Sequence, residues 1–131
     1  MFERLLRLVG PLHVIGGLLV FATGFVPETQ ELLASLFAKT DDFVWSPFFA
    51  AVLGPTVASW GVLFSAVVRQ YLNTRSRPAW RTLLISIMIW VPLDTLLCVQ
   101  FGLWGGAILN GVVVLVLAVL LYAVRPSAAK R

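Results

Sequence analysis

Four apolar runs, each about as long as a bilayer is thick, constrain this chain more than any other feature. They cover residues 8–26, 47–68, 82–101 and 106–124. A helix needs about 20 predominantly apolar residues to cross the hydrocarbon core of a membrane. The sequence therefore predicts an all-α, integral membrane four-helix bundle that forms a single domain over residues 1–131.

Basic residues lie between and beside these runs. Nine of the ten Lys and Arg residues fall in three short segments: Arg4 and Arg7; Arg69, Arg75, Arg77 and Arg81; Arg125, Lys130 and Arg131. Four crossings bring all three segments to one face, and basic segments stay on the cytoplasmic side. We therefore predict a protein of the plasma (inner) membrane with both termini cytoplasmic (N-in/C-in). The opposite face then carries four acidic residues, Glu28, Glu31, Asp41 and Asp42, and a single basic residue, Lys39.

Composition excludes several classes of protein. A hydrophobic content of 60% and a mean hydropathy of +0.93 lie outside the range of soluble domains. The net charge of +4 comes from segments that flank the membrane, so it indicates topology and contact with anionic lipid rather than nucleic-acid binding. The single cysteine, Cys98, excludes an intrachain disulfide or a CxxC redox pair.

The first run has a second interpretation. Arg4 and Arg7 precede it, and the small-x-small triplet at residues 22–24 is typical of a signal-peptide cleavage site. The run is long enough to span, however, and its removal would leave three helices. We favour an uncleaved first span.

Between the first and second runs, residues 29–40 repeat apolar side chains at helical spacing, namely Leu32, Leu33, Leu36 and Phe37. This pattern predicts a short amphipathic helix on the outer surface of the membrane. The aromatic residues that follow it are typical of an interfacial belt: Phe43, Trp45, Phe48 and Phe49.

Glycine recurs in a pattern shared by the first two spans. Gly10-Pro11 is followed by Gly17 at the same spacing at which Gly54-Pro55 is followed by Gly61. Because these spans cross in opposite directions, the shared spacing is either a relic of an inverted repeat or a chance match. Small residues such as Ala50, Gly54 and Ala58 also mark helix contacts, for which we favour packing within the chain over packing between copies.

Asp94 is the only acidic residue inside a predicted span. A charge there costs at least about 2.5–3.5 kcal/mol at mid-membrane. Counting from the cytoplasmic end places Asp94 about 18 Å deep. Two interpretations stay open: a carboxylate that takes up a proton or binds a cation, and a hydrogen-bonded residue that locks two helices together.

His13 is the only histidine and lies about 8 Å inside the cytoplasmic edge of the first span. An imidazole can take up a proton near neutral pH or bind a metal. Metal sites normally need three or four ligands, and the sequence has no second histidine and no cysteine pair; a haem held by two histidines would need a symmetric dimer. The alternative is a histidine that is hydrogen-bonded within the bundle. Its depth differs from that of Asp94 by about 10 Å, too far for direct contact.

Two tryptophans lie away from the membrane surfaces. Trp60 and Trp90 both fall about 12 Å above the cytoplasmic edge, in the same layer as Ser59. If they face inward, these residues, His13 and Asp94 line a cavity for a quinone, a lipid head group or a hydrophobic cation. The alternative is that at least one tryptophan faces lipid. Nearer the outer face, interhelical hydrogen bonds account for Thr23, Thr56, Gln100 and Asn110.

Function is less constrained than topology. The sequence contains no HExxH, GxSxG, P-loop or dinucleotide motif, and it indicates no particular cofactor. We expect a non-enzymatic accessory or scaffold protein, or a subunit that binds a hydrophobic ligand, with a membrane-protein partner or a second copy as companion. The alternative is a small proton-coupled transporter that uses Asp94. A membrane enzyme acting on a lipid or quinone is the least favoured.

Overall fold

A computed structural model describes residues 1–37 and 47–126 of the chain. The described residues form five helices and no strands: α1 (Phe2–Thr23), α2 (Pro27–Phe37), α3 (Pro47–Thr74), α4 (Arg77–Gln100) and α5 (Trp104–Ala123). The all-α prediction is confirmed for this part of the chain. The predicted roles of Lys39, Asp41, Asp42, Phe43, Trp45 and the residues after 126, and of the side chains of Phe48 and Phe49, lie outside the described residues.

Four helices are long and apolar enough to cross a membrane: α1, α4, α5 and the Ala50–Thr74 part of α3. Each coincides with one of the four predicted runs. The first begins six residues earlier than predicted, because α1 continues through the charged residues Glu3, Arg4 and Arg7. The short helix α2 matches the predicted amphipathic segment, and its Leu32 and Leu36 side chains are exposed.

The two short turns are closed by local backbone contacts. Arg75 ends α3 with a left-handed φ of 52°, and its amide donates to the Tyr71 carbonyl (2.7 Å). Ser76 then caps α4 by accepting a hydrogen bond from the Ala79 amide. The Arg75 guanidinium donates to the Glu3 carboxylate at the start of α1, and this bond raises the pKa of Arg75 above its ordinary value. In the α4–α5 turn, Gly102 has a left-handed φ of 71°.

Glycines bring the backbones of α1 and α3 into direct contact. A β-carbon added at Gly17 would lie 2.5 Å from the Gly54 carbonyl oxygen, and one at Gly54 would lie 2.6 Å from the Gly17 carbonyl oxygen. Gly10 and Gly61 form a second pair, with 2.6 Å in each direction. No side chain larger than hydrogen fits at these points. The predicted small-residue face of α3 therefore packs against α1 within the same chain.

These glycine pairs correspond to the repeated glycine spacing in the sequence. Gly10 of α1 corresponds to Gly54 of α3, and Gly17 corresponds to Gly61. Exchanging the corresponding residues turns the Gly17–Gly54 contact into the Gly61–Gly10 contact. The two antiparallel helices thus have a local two-fold relation. In lipid, close backbone approach is a main source of helix association, so the repeated glycines have a packing role whatever their origin.

The largest apolar core lies where α1 and α4 begin and where α3 and α5 end. We call this the basic end, because the arginines of the described residues all lie there: Arg4, Arg7, Arg69, Arg75, Arg77, Arg81 and Arg125. Leu6, Tyr71, Leu83, Leu117 and Leu121 are almost completely buried there. The Tyr71 hydroxyl donates to the Val124 carbonyl, and the Trp80 indole donates to the Leu121 carbonyl (3.2 Å). Side chains of α3 and α4 therefore bind carbonyls at the end of α5 that lack intrahelical partners.

Candidate functional site

Three rings from three helices meet in the basic half of the spans. The ring centroids of His13 (α1) and Trp60 (α3) lie 4.6 Å apart, those of Trp60 and Trp90 (α4) 5.5 Å apart, and those of His13 and Trp90 6.0 Å apart. All three residues are half-buried. Counting residues in each span placed His13 about 8 Å and the two tryptophans about 12 Å from the cytoplasmic edge, and the structure brings the three rings into contact. We call these three residues the aromatic cluster.

The packing of α1 on α3 explains why His13 reaches Trp60. Gly61 follows Trp60 directly, and a β-carbon there would lie 3.0 Å from the His13 β-carbon and 2.9 Å from the Val14 amide nitrogen. The missing side chain lets α1 approach until the imidazole lies beside the indole. Glycine packing and the aromatic cluster are therefore parts of one contact.

Phe64 extends the cluster and was missed by the sequence analysis. It is buried and stacks on Trp60 with centroids 4.9 Å apart. The signal was available, because residues four apart share a helix face and Phe64 lies one turn beyond Trp60. Phe64 also belongs to the buried core at the basic end, so the cluster continues into that core.

The hydrogen bonding of His13 determines which ring nitrogen carries the proton. Nδ1 lies 2.8 Å from the Val9 carbonyl oxygen. A carbonyl oxygen can only accept, so Nδ1 donates. In the neutral imidazole this leaves Nε2 as a hydrogen-bond acceptor.

Ser59 lies apart from the cluster. It is exposed, and its hydroxyl donates to the Thr56 carbonyl of its own helix (2.9 Å). Although Ser59 shares the depth of Trp60, adjacent helical residues point about 100° apart, as 3.6 residues per turn requires. The structure therefore does not bring Ser59 to the rings.

Asp94 bonds to α5. Its Oδ2 accepts a hydrogen bond from the Asn110 Nδ2 (2.6 Å), which also lies 3.4 Å from the Thr95 hydroxyl oxygen. Asn110 is buried, with 6% of its surface exposed. The predicted interhelical bond of Asn110 is thus confirmed. The same prediction is wrong for Thr23 and Thr56, which donate to the carbonyls of Val20 and Val52 in their own helices.

Four of the five predicted site residues therefore fall into two neighbouring groups, the aromatic cluster and Asp94 with its partner Asn110. Trp90 and Asp94 join them, because they lie one turn apart on the same side of α4. In the described residues, no three His, Cys, Asp or Glu side chains gather as metal ligands. Comparison of the chain with protein-family models, curated proteins and solved structures finds no match.

Proposed function

We propose that this chain is a non-enzymatic, multi-pass membrane protein that binds a hydrophobic ligand at the aromatic cluster. The observation that carries the proposal is the meeting of His13, Trp60 and Trp90 from three separate helices. Their rings remain partly exposed, so they offer apolar and π surface to a bound molecule. Sites for small apolar ligands combine such surfaces with a few polar groups, here the imidazole.

The polar contacts of Asp94 support binding over proton-coupled transport. One carboxylate oxygen already accepts a bond from Asn110 on the neighbouring helix. This bond joins α4 to α5 and gives the carboxylate a structural role. That role supports a binding protein over a transporter whose carboxylate would take up and release a proton in each cycle.

The ligand site belongs to a larger proposed arrangement. α1 packs along α3 and α4 along α5, while α3 also contacts α4 and α1 contacts α5. These contacts support a four-helix bundle. The clustering of arginines at the basic end supports a plasma (inner) membrane location with both termini cytoplasmic. In that orientation α2 lies on the outer surface, with Leu32 and Leu36 facing lipid, and the aromatic cluster lies in the cytoplasmic half.

Binding to protein in zwitterionic nanodiscs tests the proposal, with empty discs as the baseline. The probes share one naphthylmethyl group and differ in their polar end, one neutral and two cationic. We expect saturable binding that Trp60→Leu weakens about tenfold, because buried aromatic anchors dominate such sites. Phe101→Leu, at an exposed aromatic residue beyond α4, should bind as the wild type does. The proposal fails if no probe binds more to protein-containing discs than to empty ones, or if Trp60→Leu binds equally well.

A further inference from the structure

We infer that the ligand of the aromatic cluster is a lipophilic organic cation that carries an N–H, such as a protonated amine. The inference rests on the proposed function and names the chemical class of its ligand. It follows from three features of the cluster and its surroundings that favour positive charge or a hydrogen-bond donor: the free imidazole nitrogen, the faces of the indoles and the nearby Asp94 carboxylate.

The imidazole favours a donor. His13 uses Nδ1 to donate to the Val9 carbonyl (2.8 Å), so the neutral ring presents an acceptor, Nε2, on its other side. A ligand that only accepts hydrogen bonds, such as a quinone, finds no donor on this neutral ring. A protonated amine can donate to Nε2.

The indoles favour a positive charge. The face of a tryptophan ring is electron-rich and attracts cations within about 6 Å of its centroid. Trp60 and Trp90 contribute two such rings with centroids 5.5 Å apart. Because the three rings already contact one another and Phe64 stacks on Trp60, a cation would lie against the exposed part of the rings and not between them.

The Asp94 carboxylate, one helical turn from the cluster, also favours a cation. Asp94 lies one turn beyond Trp90, and its bond to Asn110 occupies Oδ2, so the carboxylate keeps capacity to accept elsewhere. Residues 8–37, 47–68 and 82–124 contain no Lys or Arg. A positive ligand at the cluster therefore meets no basic side chain from these residues.

Three naphthylmethyl probes separate these contributions. N,N-dimethyl-1-naphthylmethylamine is charged and has an N–H, its N,N,N-trimethyl analogue is charged without an N–H, and 1-(methoxymethyl)naphthalene is neutral. Affinities are measured in zwitterionic nanodiscs at about pH 8, where an ordinary imidazole is neutral and an ordinary alkylamine is mostly protonated. We expect the tertiary amine to bind about threefold to tenfold more tightly than the trimethyl analogue. The trimethyl analogue should in turn bind more tightly than the neutral ether by a similar factor.

A histidine variant isolates the hydrogen bond. His13→Phe keeps an aromatic ring and removes Nε2, so it should abolish the preference for the tertiary amine over its trimethyl analogue while leaving the preference for charge. The inference is overturned if the neutral ether binds as tightly as both cations, or if His13→Phe retains the amine preference. In either outcome saturable binding that depends on Trp60 would leave the proposed function standing, whereas absence of all binding would remove both.

Discussion

Asp94 illustrates, at the scale of a single residue, how a bilayer interior tolerates a carboxylate. The sequence showed a lone acidic residue in an apolar span and left two roles open. The structure pairs it with Asn110, an amide from the next helix. Neither span could hold its polar side chain in lipid at low cost without the other, since unpaired polar groups in an apolar medium are expensive. The α4–α5 turn is short enough to bring both residues to one depth.

A double-mutant cycle measures this pair. We expect Asp94→Ala and Asn110→Ala each to lower the free energy of unfolding in mixed micelles. Their coupling should be about 0.6 kcal/mol, the average for interhelical hydrogen bonds in a membrane protein, and at most about 1.7 kcal/mol. Thr56→Ala is the control, because Thr56 is exposed and bonds within its own helix. Strictly additive effects of the two changes would show that the bond contributes nothing to stability.

Tyr71 provides a second test at the residue scale. It is fully buried, and its hydroxyl donates to the Val124 carbonyl at the end of α5. Tyr71→Phe leaves that carbonyl unpaired, so we expect a loss of about 1–1.5 kcal/mol in unfolding free energy. Tyr122→Phe, at a tyrosine that is 65% exposed, should change stability little. Equal effects of the two substitutions would argue against the bond.

At the scale of helices, length and hydropathy were enough to locate all four long elements. A bilayer fixes the length of a spanning helix, so apolar runs were matched without knowledge of packing. The rotation of each helix about its axis could not be predicted in the same way. Ser59 shares the depth of Trp60 yet faces away from it, and Thr23 and Thr56 bond within their own helices. The rotation of a helix depends on which of its residues contact the partner helix. For α1 and α3, glycines form that contact.

The contact between α1 and α3 can be tested with neighbouring glycines. A β-carbon at Gly17 would clash with backbone atoms of Gly54 and Ala58 at 2.5 Å, whereas one at Gly16 would meet nothing within 4 Å. We expect Gly17→Ala to destabilise the protein by about 1–3 kcal/mol through overpacking. Gly16→Ala should be neutral or slightly stabilising, since alanine is the better helix former. If both variants unfold at the same denaturant concentration as the wild type, α1 and α3 are not in backbone contact.

At the scale of the whole molecule, depth along the membrane was the most useful quantity read from the sequence. Counting residues from the ends of each span placed His13, Trp60 and Trp90 in the cytoplasmic half, within about 4 Å of one another in depth, and their rings meet. The same counting kept His13 apart from Asp94, and no hydrogen bond joins these two in the described residues. The pairing of Asp94 with Asn110 required knowledge of which helices adjoin, whereas Phe64 could have been found from its position one turn beyond Trp60.

The proposed orientation underlies the location assigned to the ligand site. It rests on arginines that resist transfer across the membrane, and these gather at the basic end. If the basic end were extracytoplasmic, the aromatic cluster would open toward the other side of the membrane. Orientation is therefore the central claim to examine.

Cysteine accessibility in intact cells tests it most directly. With Cys98→Ala as background, Asn73→Cys places a thiol in the last turn of α3 and Glu28→Cys places one at the start of α2, both at exposed positions. We predict that a membrane-impermeant maleimide labels Glu28→Cys in intact cells and labels Asn73→Cys only after the membrane is opened. Labelling of Asn73→Cys in intact cells, with Glu28→Cys protected, would contradict the account.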